Sequence, residues 1–360
     1  MNPGLRILYV AYPLLPVWEG SAGGAEQMLR VTERHMADRG HCTVMAASDG
    51  SQAAGELLGT GPAAVQPDCL PERNREHNAR ILQFLARRQR TQRRFDLLHD
   101  MSGTFWPQAA VLSVPVLATL HLPRTFYPAS MWENIPANVF FNCVSGAQAG
   151  AFADLPRLLG VVGNGIEVER FPLESHKDGY LLWLGRICQE KGPHLAIQAA
   201  RGAGLRLILA GQVYPFSYHQ QYFEREIAPH LNDGAAGVRL AENPDPKEKL
   251  KLLQHARALL VPSLAEETSS LVAMEAAACG TPVVAFGRGA LPEVVREGVT
   301  GFLVNSVEEM AQAAGRCGEI EPAECRRHAE RHFSAADMAD AYEQLYGRML
   351  AISSARKIAA

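Results

Sequence analysis

What the chain lacks narrows it first. No two cysteines have C-x-x-C spacing. The seven, at positions 42, 69, 143, 188, 279, 317 and 325, are scattered and odd in number. Such a set suits reduced thiols in a cytosolic compartment. No run of about 18 apolar residues occurs, so no transmembrane helix is expected. Met1 to Arg6 leads straight into an apolar run, with no charged n-region and apolar h-region before it, so no signal peptide is expected. A net charge of −3 and a pI near 6.5 give no global signal for nucleic acid. The first glycine loop lacks G-x-G-x-x-G, which counts against a nicotinamide or flavin enzyme. A second loop lacks G-x-x-x-x-G-K-[ST], so it is not a Walker A loop.

What is present reads as a soluble α/β protein. A length of 360 residues suggests two domains, and 47% hydrophobic with 20% charged residues is ordinary for a globular enzyme. Leu5–Ala11 has the continuous apolar character of a buried parallel strand. The loop from Tyr12 ends at Gly23-Gly24, and a helix from about Ala25 to Arg39 leads to a strand at His41–Ala46. The two glycines either let the backbone approach a ligand at a helix N-terminus or simply permit a tight turn. Asp49–Arg73 fits strand fragments and loop. Arg75–Arg94 reads as a helix carrying Arg80, Arg87, Arg88, Arg90, Arg93 and Arg94. Its basic face suits either an anionic membrane surface or acceptor, or plain solvation. Strands at Phe95–His99, Val114–Leu120 and Asn138–Ser145 put His99, His121 and Ser145 at carboxyl edges. Glu167–Asp178 has the polar look of a linker.

A fresh strand-first pattern starts at Tyr180 and runs through Gly185-Arg186 to Lys191-Gly192-Pro193. Arg and Lys in such a loop suit a phosphate clamp, one as a planar fork and the other as a mobile point charge, although two solvated surface charges would look the same. The stretch 261–285 then reads as strand, loop, short helix, strand. Thr268-Ser269-Ser270 are N-cap residue types, Leu271, Met274, Ala277 and Ala278 recur at helical spacing, and Gly280 follows as a stop. The N–H groups and dipole at such a helix start favour an anion. Glu267 and Glu275 frame it, eight positions apart. Two α/β halves make a cleft between them the default ligand site.

These residues resemble glycosyltransferase family 4. The likeness is carried by Gly23-Gly24, Thr119-Leu-His121, Asn164-Gly165, Gly185-Arg186 with Glu190-Lys191-Gly192, Pro262-Ser263, Glu267 to Glu275, Ala278-Cys-Gly-Thr-Pro, Glu293 and the glycine-bounded run from Gly298 to Val304. The resemblance implies a GT-B fold: two doubly wound Rossmann-like domains facing across a cleft, with a C-terminal helix crossing back to the first. Residues 1–170, 171–335 and 336–360 would form the acceptor-side domain, the nucleotide-sugar domain and that helix. It also implies retaining transfer of a hexose-type sugar from a UDP-, GDP- or ADP-linked donor to a glycan, lipid or small-molecule acceptor. Arg186 and Lys191 would neutralise the diphosphate, helped by backbone N–H groups around Ser269, Ser270, Leu271 and Val272 and by the close backbone at Gly185. Glu267 would hold sugar hydroxyls and Glu275 the ribose. Gly23 and Gly24 would meet phosphate or acceptor, and His121 the transferred sugar. No metal or cofactor is implied, nor any nucleic acid. The chain would be cytoplasmic, with an optional peripheral membrane contact around Arg87–Arg94. The family's usual Pro-Phe-Gly is Thr268-Ser269-Ser270 here. A binding protein without transfer activity and a sugar-nucleotide epimerase are the alternatives.

Overall fold

The computed structural model describes residues 4–21, 23–64, 69–89, 94–231 and 237–359. It divides into two units, residues 1–164 with 335–360, and residues 165–334. The division falls at 164/165 rather than at 170/171. Ile166 N–H donates to the Phe333 carbonyl at 2.8 Å. Ile166 and Val168 also pack in the second unit's core.

The first unit is built on a seven-stranded parallel sheet: β1 (Arg6–Val10), β2 (Cys42–Ala47), β3 (Glu56–Gly59), β4 (Leu97–Asp100), β5 (Val116–Leu120), β6 (Val139–Cys143) and β7 (Leu158–Val161), in the order β3-β2-β1-β4-β5-β6-β7. The central strands are buried along nearly their whole length, as a sheet covered on both faces requires. β3 is a mostly exposed edge strand, and so carries no buried pattern to read from sequence. The basic helix spans Leu70–Gln89, starting earlier than the charge pattern suggests because Pro71 is tolerated in a first turn. Its Arg88 is held by Glu56 at 2.6 Å and stacks on Phe84. Arg90 and Arg93 lie outside the described residues.

The Ala335–Ala359 helix belongs to this first unit. Tyr346 hydroxyl meets His99 Nδ1 at 2.7 Å and Tyr9 hydroxyl at 3.1 Å. His99 Nε2 meets Thr119 Oγ1 at 2.7 Å, and that hydroxyl donates to Asn142 Oδ1 at 2.7 Å. The helix thus covers polar groups near the carboxyl ends of four strands, where a buried unpaired group would be costly. Among the described residues, no helix is long and apolar enough to cross a membrane.

The second unit holds six parallel strands: β8 (Tyr180–Arg186), β9 (Arg206–Gln212), β10 (Val238–Glu242), β11 (Ala258–Val261), β12 (Val283–Phe286) and β13 (Gly301–Val304), ordered β10-β9-β8-β11-β12-β13. The helix between β11 and β12 is Leu271–Ala278, and it is buried from Ala273 onward. Its far end is met by two cations, as the dipole favours. Arg326 reaches the Ala278 carbonyl at 3.2 Å, and Lys177 Nζ reaches the Cys279 carbonyl at 3.0 Å. Burial pulls the Lys177 amine down to about 8.

Candidate active site

β8 delivers Gly185 and Arg186 to the carboxyl end of the second sheet. Gly211 on β9 lies so close that an added Cβ there would stand 1.8 Å from the Gly185 carbonyl oxygen, so the two strands approach through glycine. The Arg186 guanidinium lies over the Tyr214 ring, 5.5 Å from its centroid. After Arg186 the chain makes a 3₁₀ turn, Gln189–Lys191, and leaves it through Gly192 at φ 65°. A side chain at Gly192 would also stand 2.2 Å from the Pro262 carbonyl, so both conformation and space demand glycine. That packing clamps the turn to the exit of β11. Leu264 N–H donates to the Glu190 carbonyl at 2.8 Å, and Ser263 Oγ does so at 3.2 Å.

The clamp sets Lys191 against Glu267. Lys191 Nζ reaches the two carboxylate oxygens at 2.6 and 2.8 Å, and Ser263 Oγ donates to one of them at 2.7 Å. Glu267 is 10% exposed and Lys191 36%. The lysine assigned to the diphosphate and the glutamate assigned to the sugar are therefore partners of each other. Glu267 is held from its other side too: Ala290 N–H donates to its carbonyl at 2.7 Å. Gly289, at φ 55°, permits this, because a Cβ there would stand 2.3 Å from the same oxygen.

Ser270 occupies the N-cap position of Leu271–Ala278, but its side chain makes no cap bond. Ser269 Oγ is buried without a hydrogen-bond partner. The N–H groups of Leu271 and Val272 belong to the first turn, where a helix offers donors it cannot satisfy itself. Within the helix, Glu275 is 4% exposed and is met by Lys249 Nζ at 2.7 Å. Lys249 comes from the Pro246–His255 helix, which is capped by Asp245. Sequence reasoning passed over both Lys249 and Gly289. Each carries a signal only in retrospect: a lysine within a charged helix, and a glycine shortly before Pro292.

In the first unit, Gly23 caps the Gly24–Asp38 helix at φ −84°. An added Cβ at Gly23 would stand 1.9 Å from Glu26 Oε2, so glycine serves space here rather than conformation. Glu26 is 5% exposed, and burial raises its carboxyl to about 7. His121 follows β5, and burial lowers its imidazole to about 4, so it is neutral near pH 7. A cavity of about 420 Å³ nearby is lined by Tyr12, Thr104, Leu122, Phe126, Tyr127 and Met131 among others. It combines an apolar wall with four hydroxyl-bearing residues, Tyr12, Thr104, Tyr127 and Ser130.

Residues 166–328 match the family model described as glycosyl transferases group 1. The match lies wholly within the second unit. The group 1 stretch thus contains Arg186, Lys191, Lys249, Glu267 and Glu275, nearly the whole charged constellation. The D-inositol 3-phosphate glycosyltransferase of Mycobacteroides abscessus is 33% identical over 175 residues, 47% of this chain. That match covers 39% of the relative, so the chain spans about two-fifths of that curated protein's length. Among solved structures, sucrose-phosphate synthase from Thermosynechococcus elongatus superposes with a TM-score of 0.79 at 20% identity, covering 97% of this chain and 100% of that one. HepE of Anabaena, in complex with UDP and glucose, gives 0.74 at 18% identity, covering 96% and 100%. At these identities the likeness establishes the fold, which is GT-B.

Proposed function

We propose that the protein transfers a hexose-type sugar from a nucleoside diphosphate sugar to an acceptor hydroxyl, with retention at the anomeric carbon. One observation carries the reading. The matched unit carries Arg186 at the end of β8, pairs Lys191 with Glu267 just before a helix start whose first-turn N–H groups are unspent, and pairs Glu275 within that helix with Lys249. Phosphate oxygens would take the Arg186 fork, Lys191 and the first-turn N–H groups. Glu267 and Glu275 can only accept hydrogen bonds while ionised, which is what sugar and ribose hydroxyls require. As the sugar–phosphate bond breaks, the growing charge on the diphosphate falls on donors already in place. The leaving diphosphate then takes the acceptor's proton on the same face. No metal is needed for that charge balance.

The relatives support this reading without fixing the substrate. HepE structures hold UDP-glucose, and the bacterial relatives bear the name of inositol-phosphate glycosyltransferases. The aromatic cavity of the first unit suits a sugar face or an apolar aglycone as acceptor. A thermal-shift screen of UDP-, GDP- and ADP-sugars tests the donor. It is followed by nucleotide release with and without candidate acceptors. The expected outcome is one preferred base and acceptor-dependent release. No shift with any sugar nucleotide would sink the reading. A shift without release would leave a binding protein, and isomerised donor without acceptor an epimerase.

A further inference from the structure

The turn after β8 holds a second cluster that the donor reading does not use. Cys188 Sγ, a Glu190 carboxylate oxygen and a His219 ring nitrogen all lie within 4.8 Å of one another. Two of the residues sit on the clamped turn, and the third comes from the Ser217–Tyr222 helix. His219 is 1% exposed, and neither of its ring nitrogens has a hydrogen-bond partner. Phe216 and Tyr218 wall the imidazole in, with ring centroids 5.1 and 4.3 Å away. A fully buried imidazole with both nitrogens unsatisfied calls for an explanation, since such groups nearly always find a partner. Here the ring lies beside a thiol and a carboxylate.

We propose that Cys188, Glu190 and His219 are the three protein ligands of a zinc(II) site that ties the Arg186–Lys191 turn to the Tyr214–Tyr222 segment. The donor set selects the metal. A thiolate with an imidazole is too soft for magnesium or calcium, and the mixed sulfur, nitrogen and oxygen set suits zinc in a tetrahedral shell with one position left for water. Ligand atoms in such a shell stand about 3.5 Å apart, so the cluster needs to contract by about 1 Å. Zinc binding would displace the Cys188 thiol proton to solvent. Arg186 faces both Cys188 and Glu190 and opposes a cation there. The thiolate and carboxylate together offset the ion's charge. The ion would tie the turn to the segment, takes no part in the transfer step and does not depend on the donor being a sugar nucleotide.

The full chain is to be dialysed against metal-free buffer, loaded with zinc, desalted and measured for metal content by mass spectrometry. About one zinc per chain is expected, lost in both Cys188→Ser and His219→Gln. Cobalt loading of the same chain should give a thiolate-to-cobalt charge-transfer band that is absent in Cys188→Ser. Replacing the two exposed cysteines together, Cys42→Ser with Cys69→Ser, should leave zinc content and band unchanged. Far-sub-stoichiometric zinc in the unaltered chain overturns the proposal without reference to any variant's folding. So does zinc retained by both ligand variants, or a cobalt band that survives Cys188→Ser.

Discussion

The buried carboxyls of the two units have different surroundings. In the second, Glu275 is buried and Glu267 nearly so, each paired with a lysine, at 2.7 and 2.6 Å. In the first, buried groups are driven toward their neutral forms. Burial raises Glu26 to about 7 and Asp100 to about 6, and lowers His77 and His121 to about 4. Under the proposed function, the difference suits the ligand each unit would take. A diphosphate needs fixed charges, and a carboxylate beside it stays useful only if a cation keeps it ionised. An acceptor hydroxyl brings no charge, so a neutral polar lining serves it without the desolvation cost of bare ions.

The comparison breaks most visibly at Lys249. Removing one partner of a buried pair costs about 3–5 kcal/mol, because the other charge is left stranded. Lys249 is 24% exposed, which softens the effect. Lys249→Met is therefore expected to lower unfolding free energy by about 3 kcal/mol in denaturant titration. Lys249→Met with Glu275→Gln together should recover more than half, since no bare charge remains. If Glu275 also accepts the ribose hydroxyls, Lys249→Met should raise donor KM about tenfold with little change in kcat. A single variant within about 0.5 kcal/mol of the parent would show that the pair is not buried in any useful sense.

Glu26 tests the other half of the comparison through pH. Its carboxyl rises from 4.5 unfolded to about 7 folded, with burial as the main cause. Below pH 4.5 both states are protonated and the group contributes nothing. Between the two values the unfolded chain loses its proton while the folded one keeps it, so stability falls as pH rises. Above about 7 the loss is complete and flat, at roughly 3 kcal/mol from linkage. Glu26→Gln removes this slope, so its melting temperature should pull ahead of the parent progressively from pH 5 to pH 8. Parallel melting curves for parent and variant across that window would mean that Glu26 is ionised in the fold.

Much of this arrangement is legible in the sequence, and the rest is hidden for definite reasons. Strand-first patterning and long apolar runs announce two parallel sheets, because buried strands cannot disguise their composition. The spacing of Glu267 and Glu275 about one helix start is a local signal. Their lysines are not equally visible. Lys191 was assigned to phosphate because the sequence shows its charge and not its partner. Lys249 lies on an amphipathic helix 26 residues before Glu275, where a lysine is unremarkable. β3 lies in the stretch read only as strand fragments and loop, because an exposed edge strand has no buried face to fix its bounds. The Cys188–Glu190–His219 cluster depends on a turn and a helix that meet only in three dimensions. The polar stretch Glu167–Asp178 suggested a linker and so a boundary after residue 170. The pairing of Ile166 with Ser334 decides it.

Ser270 offers the finest test. Where the resembled family usually has glycine, this chain has a serine that sits at the N-cap and makes no cap bond. An N-cap serine that bonds the first turn loses only a few tenths of a kcal/mol when replaced by glycine, and one that makes no bond should lose less. Ser270→Gly is therefore expected to leave unfolding free energy within about 0.5 kcal/mol of the parent. Ser270 is 5% exposed, so its hydroxyl lies within the packing around the helix start rather than in open solvent. A hydroxyl not spent on capping remains available to a phosphate oxygen. Ser270→Gly should then raise donor KM by about threefold to tenfold, the scale of one neutral hydrogen bond. A loss of stability with donor KM unchanged would return Ser270 to a structural role, leaving the diphosphate to Arg186, Lys191 and the backbone alone.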